Sequence, residues 1–372
     1  MYKESDVVRI GKRENNKKRK YLVVNRLQGK HLPVSPQKSL AMFDALTEVI
    51  KDVYQGENLL LVGFAETATA IGSRLAVNLK AEYIQTTREI IDGVSYLYFT
   101  EAHSHAAEQK LVKDDVDKAL EGIQRIVFVE DEITTGNTIL NIVNVLQKQY
   151  QKEIQFSVAS LLNGMDEAAL NIFRERNIGV HYLVKTDHSS YTKLAEKYQS
   201  DGVYEGKMVS DIEPFNKNNA KVITLTGYVD ARRLVSGQAY HYACLNLWEQ
   251  VKHYISLNKG DTILVLGTEE FMYPALFVAH QIENSGKTVR FHATTRSPIV
   301  VSKAEDYPLH HRFELESAYE SGRTTYIYDL EKYDQVIILT DAKDRDSSGI
   351  QTLVKAVSSV GNDSITTFRW GE

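Results

Sequence analysis

Short runs of apolar, largely β-branched residues alternate along the chain with longer stretches whose apolar positions recur every three to four residues. Residues 58–63 read as a buried strand closing on a glycine turn, and residues 67–79 as the helix that follows. Residues 126–129 form a second such strand. After it, Ile139, Ile142, Val143, Val145 and Leu146 mark a helix over 138–149. Strands at 156–162 and 180–184 flank a helix at 166–176. The periodicity lapses around 200–220, where polar, Gly- and Asn-containing sequence has little apolar surface to bury, and that segment is the expected linker. It restarts with a strand at 262–267, a helix near 273–284, strands at 288–292 and 335–340, and a helix at 350–357. Such alternation predicts an α/β protein with parallel sheets, helices on both faces, and ligands at the carboxyl ends of the strands.

The pattern repeats itself. Leu60-Leu-Val-Gly63 matches Leu264-Val-Leu-Gly267, Thr86-Thr87-Arg88 matches Thr294-Thr295-Arg296, and the strand reaching Asp131 matches the strand reaching Asp341. Three landmarks in one order and at a nearly constant offset predict two related domains in tandem, 1–205 and 206–372. The length of 372 residues agrees with two domains of ordinary size.

Composition narrows the chemistry. One cysteine, Cys244, allows neither an intramolecular disulfide nor a cysteine zinc site, so a reducing cytoplasmic compartment is expected. No apolar run is long enough for a membrane span, and the first residues contain no apolar signal-peptide core. A net charge of −5 supplies no global field for nucleic acid, so any phosphate must be bound locally. The basic cluster Lys12, Arg13, Lys17, Lys18, Arg19 and Lys20 lies between strand-like runs at 7–10 and 21–24 and reads as the solvated tip of a hairpin.

The densest chemistry lies at 125–138. An apolar strand ends in two adjacent carboxylates, Glu130 and Asp131. Beyond Glu132 and Ile133, the turn Thr134-Thr135-Gly136-Asn137-Thr138 opens a helix. Unpaired amides at a helix start, with hydroxyls beside them, suit a phosphate monoester, and Gly136 permits close approach or positive φ. Acceptor-only carboxylates at a strand end suit the vicinal hydroxyls of a ribose, directly or through magnesium. Together they describe a ribose-5-phosphate site.

This segment resembles the signature of the type I phosphoribosyltransferases: four apolar residues, two acids, a short apolar step and Thr-Thr-Gly-x-Thr. The resemblance implies that Glu130 and Asp131 hold the ribose hydroxyls of phosphoribosyl pyrophosphate with Mg2+, and that residues 134–138 hold its 5-phosphate. It further implies a pyrophosphate loop at Gly63, Phe64, Ala65, Glu66 and Thr67, with Arg88 after the next strand as a cation for the pyrophosphate. His103 and His105, near Glu101 and ahead of Lys110 and Lys113, occupy the place of the flexible loop that closes over substrates. The implied acceptor is nucleobase-like and unidentified, base choice falling to a small hood that would include 21–36 and part of 186–200. A homodimer is common in the family, although two related domains within one chain could replace it.

Most of the chain is similar to a narrower group, the phosphoribosyltransferases of tellurite-resistance gene clusters. Their second domain takes its name from Thr-Arg-Ser-Pro, here Thr295-Arg296-Ser297-Pro298. In that domain Thr340 stands where the first acid is expected, followed by Asp341 and then Ser347, Ser348 and Gly349. This departs from the ribose-phosphate signature, so a degenerate copy is expected. Thr295, Arg296, Ser297, Asp341, Ser347, Ser348 and Gly349 are its candidate ligand residues. Two alternatives stand beside the transferase: a phosphoribosyl pyrophosphate or nucleotide sensor without chemistry, and a tandem ribose-phosphate pyrophosphokinase-like enzyme.

Overall fold

Continuous apolar runs such as Leu60, Leu61 and Val62, or Ile126 to Val129, are buried to the last atom, as strands covered on both faces require. The computed structural model describes residues 2–14, 16, 19–100, 108–206, 222–256, 258, 260–343 and 348–371. They fall into two compact units. The first comprises Met1–Glu4, Leu40–Asp187 and Val229–Tyr242, and the second Ser5–Ser39, His188–Tyr228 and Ala243–Glu372. Residues 5–39 and 188–205 therefore fold with the C-terminal half, and the segments expected as a hood, 21–36 and most of 186–200, belong to the second unit.

In the first unit, strand β1 (Leu59–Gly63) leads through a turn to helix α1 (Thr69–Leu79) and strand β2 (Glu82–Gln85). A hairpin of β3 (Tyr96–Thr100) and β4 (Glu108–Val112) follows, then β5 (Arg125–Ile133), α2 (Asn137–Gln149), β6 (Gln155–Asn163) and β7 (Ile178–Lys185). The sheet order is β2-β1-β5-β6-β7, all parallel, with Val235–Ser236 antiparallel on the β2 edge. Helix α2 buries Ile139, Ile142, Val143 and Leu146, the stripe its sequence spacing predicts. One boundary differs from expectation: β5 does not stop at the acids. It continues to Ile133 because the equally long β6 offers a ladder there, with Glu130 opposite Ser160 and Ile133 opposite Asn163.

In the second unit, β8 (Val222–Leu225) precedes β9 (Thr262–Gly267), α3 (Tyr273–Asn284) and β10 (Thr288–Ala293). The hairpin β11 (His311–Glu316) and β12 (Thr324–Tyr328), then β13 (Gln335–Thr340), α4 (Ser348–Ser359) and β14 (Ile365–Trp370) complete it. The order is β10-β9-β13-β14-β8, again all parallel. The two sheets are therefore the same up to the fourth strand. The fifth place is filled in the first unit by the strand that follows, β7, and in the second by the strand that precedes, β8. The N-terminal hairpin Val8–Lys12 and Tyr21–Asn25 forms as its sequence suggests, placing Leu22 and Val24 in a buried cluster with Ile299, Val301 and Tyr328.

Candidate active site

Gly63 ends β1 where space is scarcest. A Cβ there would stand 2.5 Å from the Tyr83 hydroxyl, and one on Gly72 would stand 3.0 Å from the Gly63 Cα. These two glycines let α1 start close to the strand end. The turn is tied on both sides. Phe64 N–H donates to Val129 O at 3.1 Å, and Thr86 N–H to Gly63 O at 2.9 Å. Ala65 N–H donates to the Thr86 hydroxyl at 2.8 Å. Gln109, which is 2% exposed, donates to Ala65 O at 2.7 Å and accepts from the Thr86 hydroxyl. The Ala65–Glu66 peptide is cis.

Thr67 joins this turn to the acidic strand, its hydroxyl donating to Asp131 Oδ1 at 2.8 Å. Burial raises the Asp131 carboxyl to about 6, the charge of Glu132 adds to the rise, and the Thr67 hydroxyl and nearby amides oppose it. Gly136 then adopts φ 72 directly before α2, and a Cβ there would meet the Phe173 ring at 2.4 Å. Conformation and packing both require glycine. Gly136 brings no side-chain cap to α2, and Asn137 N–H donates to the Thr135 hydroxyl at 3.4 Å. Thr134 and Thr138 are half-buried, Thr135 and Asn137 exposed.

The predicted residues divide accordingly. Gly63, Ala65 and Thr67 lie in the turn after β1, Thr67 ties that turn to Asp131 near the end of β5, and Gly136 stands between β5 and α2. Phe64 and Ile133 are buried, at 1% and 3% exposure, and support the turn from behind. Phe64 packs on Phe99 and Phe128 with ring centroids 5.7 and 5.9 Å apart. Glu66 is buried, Glu130 and Arg88 half-buried, and the backbone carbonyls of Arg88 and Glu89 accept from Lys110 Nζ at 3.0 and 3.3 Å. Glu101, His103, His105 and Ser347 lie outside the described residues. Gln109 went unmarked in the sequence, and so did the role of Thr86. The available signal was the repeated Thr-Thr pair at 294–295.

The second unit keeps the same frame. Thr294 N–H donates to Gly267 O at 3.1 Å, and Glu269 N–H to the Thr294 hydroxyl at 3.0 Å. Lys30, fully buried, donates to the carbonyls of Glu269 and Thr294 at 2.8 Å each, as Gln109 does to Ala65 in the first unit. Arg296 pairs with Glu270 at 3.0 Å, Asp341 accepts the hydroxyls of Tyr319 and Tyr228, and Thr340 accepts from Thr268. Thr295 is buried, and its hydroxyl accepts from Ser297 N–H at 3.2 Å. Ser348 and Gly349 begin α4.

Among the described residues, no group of three or more His, Cys, Asp or Glu side chains is placed to hold a metal ion, and no helix is long and apolar enough to cross a membrane. Three solved adenine phosphoribosyltransferases are similar to part of the chain. The Rhodothermus marinus protein is 14% identical, with 49% of this chain and 96% of that one covered and a TM-score of 0.34. The Trypanosoma brucei protein, solved with AMP, pyrophosphate and ribose-5-phosphate, is 18% identical over 48% of this chain and 76% of that one, TM-score 0.35. The Thermoanaerobacter pseudethanolicus protein is 16% identical over 48% and 96%, TM-score 0.34. No curated protein matches the chain. A phosphoribosyl transferase family model matches residues 7–193, and a model of the TRSP domain that lies C-terminal to this transferase matches residues 237–357. The chain therefore belongs to the phosphoribosyl transferase family whose members carry a C-terminal TRSP domain.

Proposed function

We propose that the first unit transfers the phosphoribosyl group from phosphoribosyl pyrophosphate to a nitrogen of a nucleobase-like acceptor, releasing pyrophosphate. The observation that carries this reading is the Thr67–Asp131 hydrogen bond, which joins the turn after β1 to the acidic end of β5. Beside it stands the glycine-initiated start of α2. In this reading the α2 amides and Thr134, Thr135 and Thr138 hold the 5-phosphate, Asp131 and Glu130 the ribose hydroxyls, and the 63–67 turn with Arg88 the pyrophosphate.

Bond cleavage leaves positive charge on the ribose ring and negative charge on the departing pyrophosphate. Carboxylates at the first, and at the second the turn that Thr86 and Gln109 hold in place, would oppose both. Magnesium fits as a passenger of the substrate: Asp131 and Glu130 offer two carboxylates, and the remaining ligands would come from the diphosphate, ribose hydroxyls and water. When bound it neutralises charge on the leaving group. His103 and His105 remain candidates for proton transfer or positioning.

Isothermal titration with phosphoribosyl pyrophosphate and magnesium tests the reading. We expect one saturable site that is lost in Asp131→Ala, and intact protein that binds nothing would refute it. Pyrophosphate release against a panel of bases separates the transferase from a sensor that binds without turnover.

A further inference from the structure

The second unit repeats the frame of the first and then fills it with its own side chains. Glu269 and Glu270, 1% and 2% exposed, stand in the turn after β9 at the places of Ala65 and Glu66. Glu269 Oε1 accepts the Ser317 hydroxyl at 2.6 Å, while its Oε2 lies 3.1 Å from the Arg323 guanidinium and 3.8 Å from that of Arg296. Arg296, at the place of Arg88, also pairs with Glu270 at 3.0 Å. The cations that an incoming pyrophosphate would need are thus already neutralised by carboxylates of the very turn that would cradle it.

The other two positions are occupied as well. Asp341, at the place of Asp131, accepts Tyr319 OH at 2.6 Å and Tyr228 OH at 2.7 Å, one on each carboxylate oxygen. A Cβ on Gly349, in the first turn of α4, would stand 2.3 Å from Ser317 O and 2.4 Å from Ala318 N, so backbone lies directly against that helix start. Ser317, Ala318, Tyr319 and Arg323 all belong to the connection between β11 and β12, the counterpart of the connection between β3 and β4 in the first unit. Ser317 is itself held, its hydroxyl accepting from Tyr319 N–H and Glu320 N–H at 3.1 and 3.2 Å.

We propose that the connection 317–323 is a built-in occupant of the second unit's strand-end crevice. It stands in for the pyrophosphate, the ribose hydroxyls and the phosphate together, so this unit takes no phosphoribosyl or pyrophosphate ligand. The copy then differs from the first unit less in its framework than in having its ligand encoded in the chain. This inference concerns the second unit and does not depend on the transferase reading of the first.

The test is a calorimetric titration of the full chain with inorganic pyrophosphate and magnesium, for wild type and Arg296→Ala, with amide hydrogen exchange of the 317–323 peptide followed in parallel. We expect the same number of bound pyrophosphates in both proteins, with affinities within twofold, and unchanged exchange in 317–323 at saturation. Loss of one bound pyrophosphate in Arg296→Ala, or a pyrophosphate-dependent change of exchange in 317–323, would overturn the proposal. If Arg296→Ala does not fold, the exchange measurement on wild type decides alone. A wild-type chain that binds no pyrophosphate at all supports the occupied crevice and counts against the transferase reading, so the two ideas fail separately.

Discussion

Ala65 N–H in the first unit and Glu269 N–H in the second each donate to a threonine at the same place on the neighbouring strand, and each residue's carbonyl is held by a buried donor, Gln109 or Lys30. What differs is the side chain the turn carries. The first unit presents the Ala65 methyl group, one buried carboxylate, Glu66, and a threonine that reaches Asp131; the second presents two buried carboxylates that bind two arginines. A duplicated framework survives because backbone hydrogen bonds and packing glycines maintain it. Its function depends on a few side chains whose charges can be spent internally. Where the carboxylates of the second turn already bind Arg296 and Arg323, an anion is excluded.

The largest stability effect expected from this contrast falls on the second unit. Glu269→Ala removes the shared partner of Ser317, Arg323 and Arg296 inside the protein; Arg296 keeps Glu270 and Arg323 keeps Glu320, so the expected cost is that of lost charge-assisted hydrogen bonds, about 2–3 kcal/mol. Urea unfolding should show the second unit melting early. A loss below about 1 kcal/mol, the worth of a solvent-screened pair, would mean the cluster is not closed. On activity the asymmetry should reverse. Asp131→Ala is expected to lower the rate of pyrophosphate release by about 10²–10³, the usual cost of one preorganised polar group in a transition state. Asp341→Asn should leave that rate as it was, and equal losses at both positions would break the comparison.

Much of this framework is legible in the sequence, and the reasons are local. Apolar runs place β9, α3 and β13 to the residue, and Gly136 announces its own turn because no other residue tolerates both its φ and the Phe173 ring. The continuation of β5 beyond Asp131 to Ile133 was not legible, since it depends on a partner strand of matching length. Neither was the folding of residues 5–39 with the C-terminal half, which leaves no periodic trace. Gln109 is silent for a similar reason: its meaning lies in a hydrogen bond between the β3–β4 hairpin and Thr86. Arg296 could be found as a cation in sequence, but that Glu269 and Glu270 meet it could not.

Gln109 and Lys30 allow a smaller and more selective test. Gln109→Leu leaves the Ala65 carbonyl without its buried donor and loosens the turn, so KM for phosphoribosyl pyrophosphate should rise about tenfold, the equivalent of roughly 1.4 kcal/mol, with kcat little changed. Lys30→Met makes the matching change in the second unit, where it should lower Tm and leave KM as it was. A rise in KM from Lys30→Met would show that the second turn takes part in substrate binding after all.

The smallest expected effect is a pH dependence belonging to the first unit. Asp131 has a folded-state value of about 6 against an ordinary 3.8, because burial penalises its charged form. Between those values the folded protein holds more protons at this group than the unfolded chain does. Stability therefore declines as pH rises through about 4–6 and levels off above, by roughly 1 kcal/mol once the solvent reaching this half-buried carboxyl is allowed for. Asp131→Asn keeps an acceptor for Thr67 and should remove that slope. Catalysis should run the opposite way. Only the ionised carboxylate accepts two ribose hydroxyls, so kcat/KM should increase with pH to a plateau, with an inflexion near 6. In the substrate complex those hydroxyls and magnesium favour the anion, so the inflexion in kcat should move to lower pH. Profiles of kcat and kcat/KM with the same midpoint would mean that bound substrate leaves Asp131 untouched, and the ribose contact would then have to be assigned to Glu130 alone.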